Sequence, residues 1–230
     1  MDRNRWIIFA VICIVLLGAL IVNKKGDDVN VDKINADKVI TADKKDTKIA
    51  DHTFGSSENK TVLIEYGDFQ CPGCSSLFPS LKTLKEKYKD QLTFVFRNFP
   101  LTTIHPNALA AATAAEAAGL QDKWWEYHDK LYENQNAWAS ADTSQRTDIF
   151  VGYAKDLGLD TATFKKDLES DKIAQKISRD QALGKKIGAT STPTLVLDGK
   201  VVAQDQWSSP EKLEATIREA IKASGQTLPE

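Results

Sequence analysis

The chain has 230 residues, 30 Lys and Arg against 32 Asp and Glu, a net charge of −2 and 42% hydrophobic residues. That length holds one large or two small domains, and the near balance of charge lacks the basic footprint of a nucleic-acid binder. Three cysteines are too few for a disulfide-stapled secreted scaffold, and a lone methionine, Met1, excludes a thioether-rich copper site.

At the N-terminus an uncharged apolar run extends from Trp6 to Val22. At the rise of an α-helix it spans roughly 25 Å, near the lower limit for crossing a bilayer. It ends Leu20-Ile21-Val22-Asn23 with no small-x-small cleavage pattern, so a retained membrane anchor over residues 1–23 is expected, with a cleaved signal as the alternative. Arg3 and Arg5 flank one side and Lys24, Lys25, Lys33 and Lys38 the other, so counting positive charge leaves the orientation open. Cys13, in mid-run, reads as a small lipid-facing or helix-packing residue. Residues 24–50 have no aromatics and interleave Lys with Asp, a composition that predicts a solvated tether with a reach on the order of 30 Å, with short ordered pieces around Val39-Ile40 as the alternative.

The remainder reads as alternating elements. Thr61-Val62-Leu63-Ile64-Glu65-Tyr66 is a β-branched apolar run of the kind buried on both faces of a sheet. Pro72 opens a helix to about Tyr88, with Leu77, Phe78, Leu81, Leu84 and Tyr88 at helical spacing, and Leu92–Phe96 is a second strand. Helical patterns follow over 108–118 (ending at Gly119), 122–132, 145–157 and 163–187, with breaks near Gly158 and Ser170. Asp198-Gly199 between Thr194–Leu197 and Lys200–Val202 marks a two-residue hairpin, and Pro210–Ala223 behind the N-cap candidate Ser209 closes the chain as a helix. The order β-α-β, helices, β-hairpin, α is that of an α/β thioredoxin fold interrupted by an all-helical insertion.

Cys71-Pro72-Gly73-Cys74 carries the chemistry. A C-x-x-C pair serves either as half a zinc site or as a dithiol; the remaining candidates, His52, His105, His128 and carboxylates, do not complete a zinc spacing, so no metal is expected. Cys71 falls where a strand turns into the helix opened by Pro72. Unpaired N–H groups and the helix dipole favour thiolate over thiol there, and Cys74, one turn deeper, is the resolving thiol. His105 and His128 read as structural, and Trp124 and Trp125 as core.

Three separated stretches extend this pattern: Val62 through Cys74, Phe94 through Leu101 with His105-Pro106, and Ile187 through Thr194. With them the chain resembles the DsbA-like thiol:disulfide oxidoreductases, particularly membrane-tethered or secreted relatives. The resemblance implies a first thioredoxin-like segment over 51–105 that holds the dithiol, a helical insertion over 106–186 and a second thioredoxin-like segment over 187–230. It implies a cis-proline at Pro193, a Thr192 backbone that bonds extended substrate, a buried acid at Glu65 that moves the Cys74 proton, and substrate contacts from Phe69 and Pro72. It also implies no cofactor, cysteine-containing protein substrates, a membrane redox partner (a quinone-linked re-oxidant or an electron donor), and a soluble domain outside the cytoplasm on a single-pass cytoplasmic-membrane anchor. Where strongly oxidising members carry Pro-His between the cysteines, this chain has Pro72-Gly73, which implies a milder oxidant. A reductase of the same fold is the nearest alternative, and a non-catalytic peptide-binding or metal-carrying module is the second.

Overall fold

Thr61–Gly67 is buried along almost its whole length because it runs through the middle of a five-stranded sheet, as seen in a computed structural model that describes residues 29–41 and 49–229. The expected anchor over 1–23, and Cys13 within it, lie outside the described residues. Among the described residues no helix is long and apolar enough to cross a membrane.

The strands are β1 (His52–Phe54), β2 (Thr61–Gly67), β3 (Leu92–Asn98), β4 (Thr194–Leu197) and β5 (Lys200–Val201), in spatial order β1-β3-β2-β4-β5. Strand β2 pairs parallel with β3, from Thr61 opposite Leu92 to Gly67 opposite Asn98, and antiparallel with β4. The parallel pair needs a crossover, supplied by helix α1 (Pro72–Lys87). Between β3 and β4 lie α2 (Ala108–Gly119), α3 (Trp124–Glu133), α4 (Gln135–Trp138), α5 (Thr143–Asp156), α6 (Thr161–Asp167) and α7 (Asp171–Lys186). Asp198 and Gly199 both adopt positive φ, the geometry a two-residue hairpin turn demands, and α8 (Pro210–Ala223) ends the fold, capped by the Ser209 hydroxyl.

Two apolar clusters cover the sheet. Leu77, Leu81 and Leu84 of α1 meet Leu213, Ile217 and Ile221 of α8 over Leu63, Phe94 and Leu195. The other cluster joins Phe69 and Phe96 to α2 and the aromatic residues of α3. Eight residues of α2 are buried, seven of them alanines, so the small side chains let neighbouring elements approach closely. The eighth, Glu116, accepts hydrogen bonds from His52 Nε2 (2.8 Å) and Asn98 Nδ2 (2.7 Å).

Three elements differ from expectation. Strand β1 is three residues long, too short to show a period, and is held by antiparallel pairing with β3. Strand β3 continues past Phe96 through Arg97 and Asn98, two polar residues that resemble a strand end but are fully buried with partners. Residues 31–41 are not part of a solvated tether. Val31 and Ala36 are buried, Arg97 donates to the carbonyls of Ala36 and Lys38, and Lys186 Nζ donates to those of Val31, Asp32 and Ile34 at 2.9–3.0 Å. Asp51 closes the strap by exchanging bonds with Ile40. What fixes this segment is its main chain, so its composition carried no sign of order.

Candidate active site

Strand β2 ends at Gly67, and a short turn delivers Cys71 to the N-cap of α1. Asp68 holds that turn. Its carboxylate accepts from the N–H groups of Gln70 (2.8 Å) and Leu101 (2.9 Å) and pairs with His105 Nδ1 (2.7 Å), while its carbonyl accepts from the Cys71 N–H (3.0 Å). His105 is thus a structural brace for the loop, in keeping with its structural reading from the sequence.

Cys71 and Cys74 are free thiols. Cys71 is 7% exposed and Cys74 fully buried, so an incoming partner meets Cys71 first. The Cys74 thiol hydrogen-bonds to the Cys71 sulfur, and with help from Thr192 and the N–H groups of Cys74 and Gly73 this outweighs burial and lowers the Cys71 pKa to about 5. Cys74 moves the other way: burial, its bond to Cys71 and the nearby Glu65 push it well above the usual thiol value. Two neighbouring thiols therefore hold opposite protonation states at neutral pH, which is what a nucleophile and its resolving partner require.

The Thr192–Pro193 peptide is cis, and the Thr192 carbonyl lies 3.3 Å from Cys71 Sγ. Pro193 faces Gly73, where a Cβ would stand 3.3 Å from Pro193 Cδ and 3.6 Å from Cys71 Sγ. A side chain at position 73 would thus lie against the sulfur. Gly73→His is expected to lower the Cys71 inflection and make the disulfide a stronger oxidant, because the imidazolium stabilises the thiolate of the reduced form. Alkylation rate against pH checks this, and an inflection at or above that of the parent protein would count against it.

Glu65 is 2% exposed on β2. Burial raises its pKa to about 8; the Lys85 ammonium opposes the rise and the Cys71 charge adds to it. Lys85 is itself buried, 4.2 Å above the Trp125 ring and 3.5 Å from Asp129, and burial lowers its pKa. Phe69 is not a groove residue. Its ring is 1% exposed and stacks on Phe96 at 5.0 Å, because the turn points it inward beneath the dithiol. Pro72 is exposed beside Cys71. Thr192 and Pro193 also line a cavity of about 250 Å³, together with Leu195, Val201, Val202 and Trp207. Trp207 follows the hairpin at a distance in sequence that gave no hint of this placement.

Trp124 and His128 lie in the core; burial lowers the His128 pKa to about 4, and its Nδ1 bonds Asp129. Among the described residues no three His, Cys, Asp or Glu side chains converge as a metal-holding group.

A family model described as Thioredoxin matches residues 47–219. Among curated proteins, the Na(+)/H(+) antiporter NhaA 1 of Mycolicibacterium vanbaalenii is 35% identical over 151 residues, which are 65% of this chain and 23% of that protein. The corresponding antiporter of Salinispora arenicola is 36% identical over 150 residues, 65% of this chain and 22% of its own length. This chain thus spans less than a quarter of those relatives. Among solved structures, alpha-DsbA1 of Wolbachia pipientis superposes with a TM-score of 0.64 at 22% identity, covering 76% of this chain and 92% of that one. BdbD of Bacillus subtilis gives 0.59 at 22% identity, covering 74% and 92%.

Proposed function

This chain belongs to the thioredoxin family, and from that premise we propose that it is a thiol:disulfide oxidoreductase that introduces disulfides into cysteine-containing proteins outside the cytoplasm. The observation that carries the reading is the opposed pair of thiols, Cys71 lowered to about 5 and Cys74 raised.

In the oxidised protein a substrate thiolate attacks Cys71 Sγ; the Cys71–Cys74 bond breaks and a substrate–Cys71 disulfide forms. The leaving Cys74 thiolate takes a proton, for which Glu65, protonated below its pKa of about 8, is the nearby donor. A second substrate thiolate then attacks the substrate sulfur of the mixed disulfide. Cys71 departs as a stable thiolate, a good leaving group because its pKa is low. The substrate loses two electrons and the enzyme gains them. Exposed Pro72 and the Thr192 main chain beside Cys71 receive the substrate as an extended segment. A quinone-linked membrane partner restores the disulfide, and the apolar run from Trp6 to Val22 tethers the domain to the same membrane.

Gly73 favours one competing direction. Without a cation between the cysteines the disulfide is less oxidising, as a reductase fed by a membrane donor requires. Equilibration with glutathione buffers separates the two: about −180 mV or higher is expected for the oxidant, and a value near −270 mV would assign the reductase.

A further inference from the structure

The helical insertion reaches the dithiol loop at several points: the Asn107 N–H donates to Gln70 Oε1 (2.6 Å), Gln70 Nε2 donates to the Ala139 carbonyl (2.7 Å), and the Tyr132 hydroxyl donates to the Asp68 carbonyl (3.4 Å). One further contact bears on the Cys71 main chain itself. Gln135, the first residue of α4, directs its side-chain Nε2 to the carbonyl oxygens of Phe69 (2.7 Å) and Cys71 (3.2 Å). These carbonyls lie on either side of Gln70, and that of Cys71 also accepts the first hydrogen bond of α1, from the Ser75 N–H at 3.1 Å. We propose that Gln135 is a positioning residue for the Cys71 nucleophile, a single carboxamide from the insertion that sets how the start of α1 faces the sulfur.

The reason is geometric. Cys71 is the N-cap, with extended dihedrals of φ −69° and ψ 123°. Its ψ fixes the plane of the peptide that leads into Pro72 and therefore the direction of the Gly73 and Cys74 N–H groups. Pro72 has no N–H, so those two are the first main-chain donors of the helix. Both support the thiolate. Holding the Cys71 carbonyl from outside the helix fixes that plane, and the bond to Phe69 fixes the turn before it. Bonding the same carbonyl also polarises the peptide unit at the head of the helix dipole. A side-chain amide meets the need because it is uncharged and places both hydrogens from one atom. The insertion thereby tunes the sulfur through the main chain of the loop, and any shift of α4 relative to α1 alters the acidity of Cys71.

This inference rests on Cys71 being the nucleophile, and the test separates the two claims. The full-length reduced protein is alkylated with iodoacetamide over a range of pH, and the Cys71 adduct is quantified by peptide mapping. Gln135→Met keeps the length and removes the donors; it is expected to raise the Cys71 inflection by roughly 0.5–1 pH unit. Gln135→Lys restores donors and returns the inflection to the parent value or below. Gln135→Ala repeats the measurement at this half-buried position if the thioether is not accommodated. Tyr127→Phe is the control for mere loosening. Its buried hydroxyl donates to the Phe150 carbonyl (2.8 Å) within the insertion and not to residues 68–71, so it is expected to lower stability and leave the inflection in place. A low inflection in the parent protein that is unmoved in Gln135→Met and Gln135→Ala overturns the inference and spares the nucleophile. A Tyr127→Phe shift as large as that of Gln135→Met also overturns it. An unshifted inflection in the parent protein overturns the nucleophile assignment itself.

Discussion

Replacing Cys71 by Ser abolishes disulfide exchange down to the uncatalysed rate, whereas replacing Cys74 by Ser leaves a protein that attacks disulfides and stays bound to them. The difference follows from the burial of the two sulfurs. Cys71 is the sulfur reachable from outside and is ionised at neutral pH; its removal takes away both nucleophile and leaving group. Cys74 is enclosed, and its high pKa keeps it a thiol until Cys71 is engaged. Without it a mixed disulfide at Cys71 has no neighbouring thiol in the dithiol site to release it. Non-reducing electrophoresis of cells expressing Cys74→Ser should therefore show adducts that collapse on reduction and are missing from the Cys71→Ser/Cys74→Ser double variant. Adducts of equal yield in both would mean that the dithiol is not the attacking group, and their absence from Cys74→Ser would favour a non-catalytic binding module.

The largest expected change in stability comes from Arg97→Met. Arg97 and Asp51 are a fully buried pair, Nη2 to Oδ2 at 2.8 Å and Nε to Oδ1 at 3.3 Å, and the same guanidinium serves the Tyr66 hydroxyl and the strap carbonyls of Ala36 and Lys38. Removing one partner strands a buried carboxylate, with Lys176 left at 3.9 Å, and is expected to cost about 3–5 kcal/mol. Urea denaturation measures it; a loss under about 1 kcal/mol would contradict the account. The Arg97→Met/Asp51→Leu double variant should lose less than the sum of the two single losses, because it leaves no unpaired charge.

The same cluster fixes the response to acid. Burial raises Asp51 and Glu116, but Lys176 and Arg97 hold Asp51 below its usual value, and His52, Lys176 and Asn98 hold Glu116 at about 2. Folded pKa values below the unfolded ones mean that these two contribute stability above the ordinary carboxylate range and lose it as pH falls, for Glu116 down to about 2. Asp180 and Glu65, both raised by burial, contribute with the opposite sign, and for Glu65 that contribution is lost as pH rises from the carboxylate range through about 8.

What the sequence disclosed of this molecule follows from which interactions have a period or a composition. The chain order of β2, α1 and β3, the hairpin and the last helix were legible because apolar runs, Pro72, Asp198-Gly199 and Ser209 each act through local geometry. The placement of Cys71 at a helix start was legible for the same reason. Phe69 was misplaced because a residue within a turn carries no periodicity to say which way it points. The strap was missed because Arg97 and Lys186 read its main-chain carbonyls, which every residue has. The end of β3 was set too early because Arg97 and Asn98 are polar, and only their distant partners Asp51, Glu116 and Asp180 explain their burial. Gln135 belongs to the same class: it braces the reactive loop through contacts more than sixty residues away in sequence.

One acidic sulfur underlies all of this chemistry. Iodoacetamide alkylation of the reduced full-length protein, followed at Cys71 by peptide mapping across pH, measures it directly, since Cys74 stays protonated over that range. The rate is expected to reach half its plateau at about pH 5. A midpoint near 8.5, that of an ordinary thiol, would contradict the account.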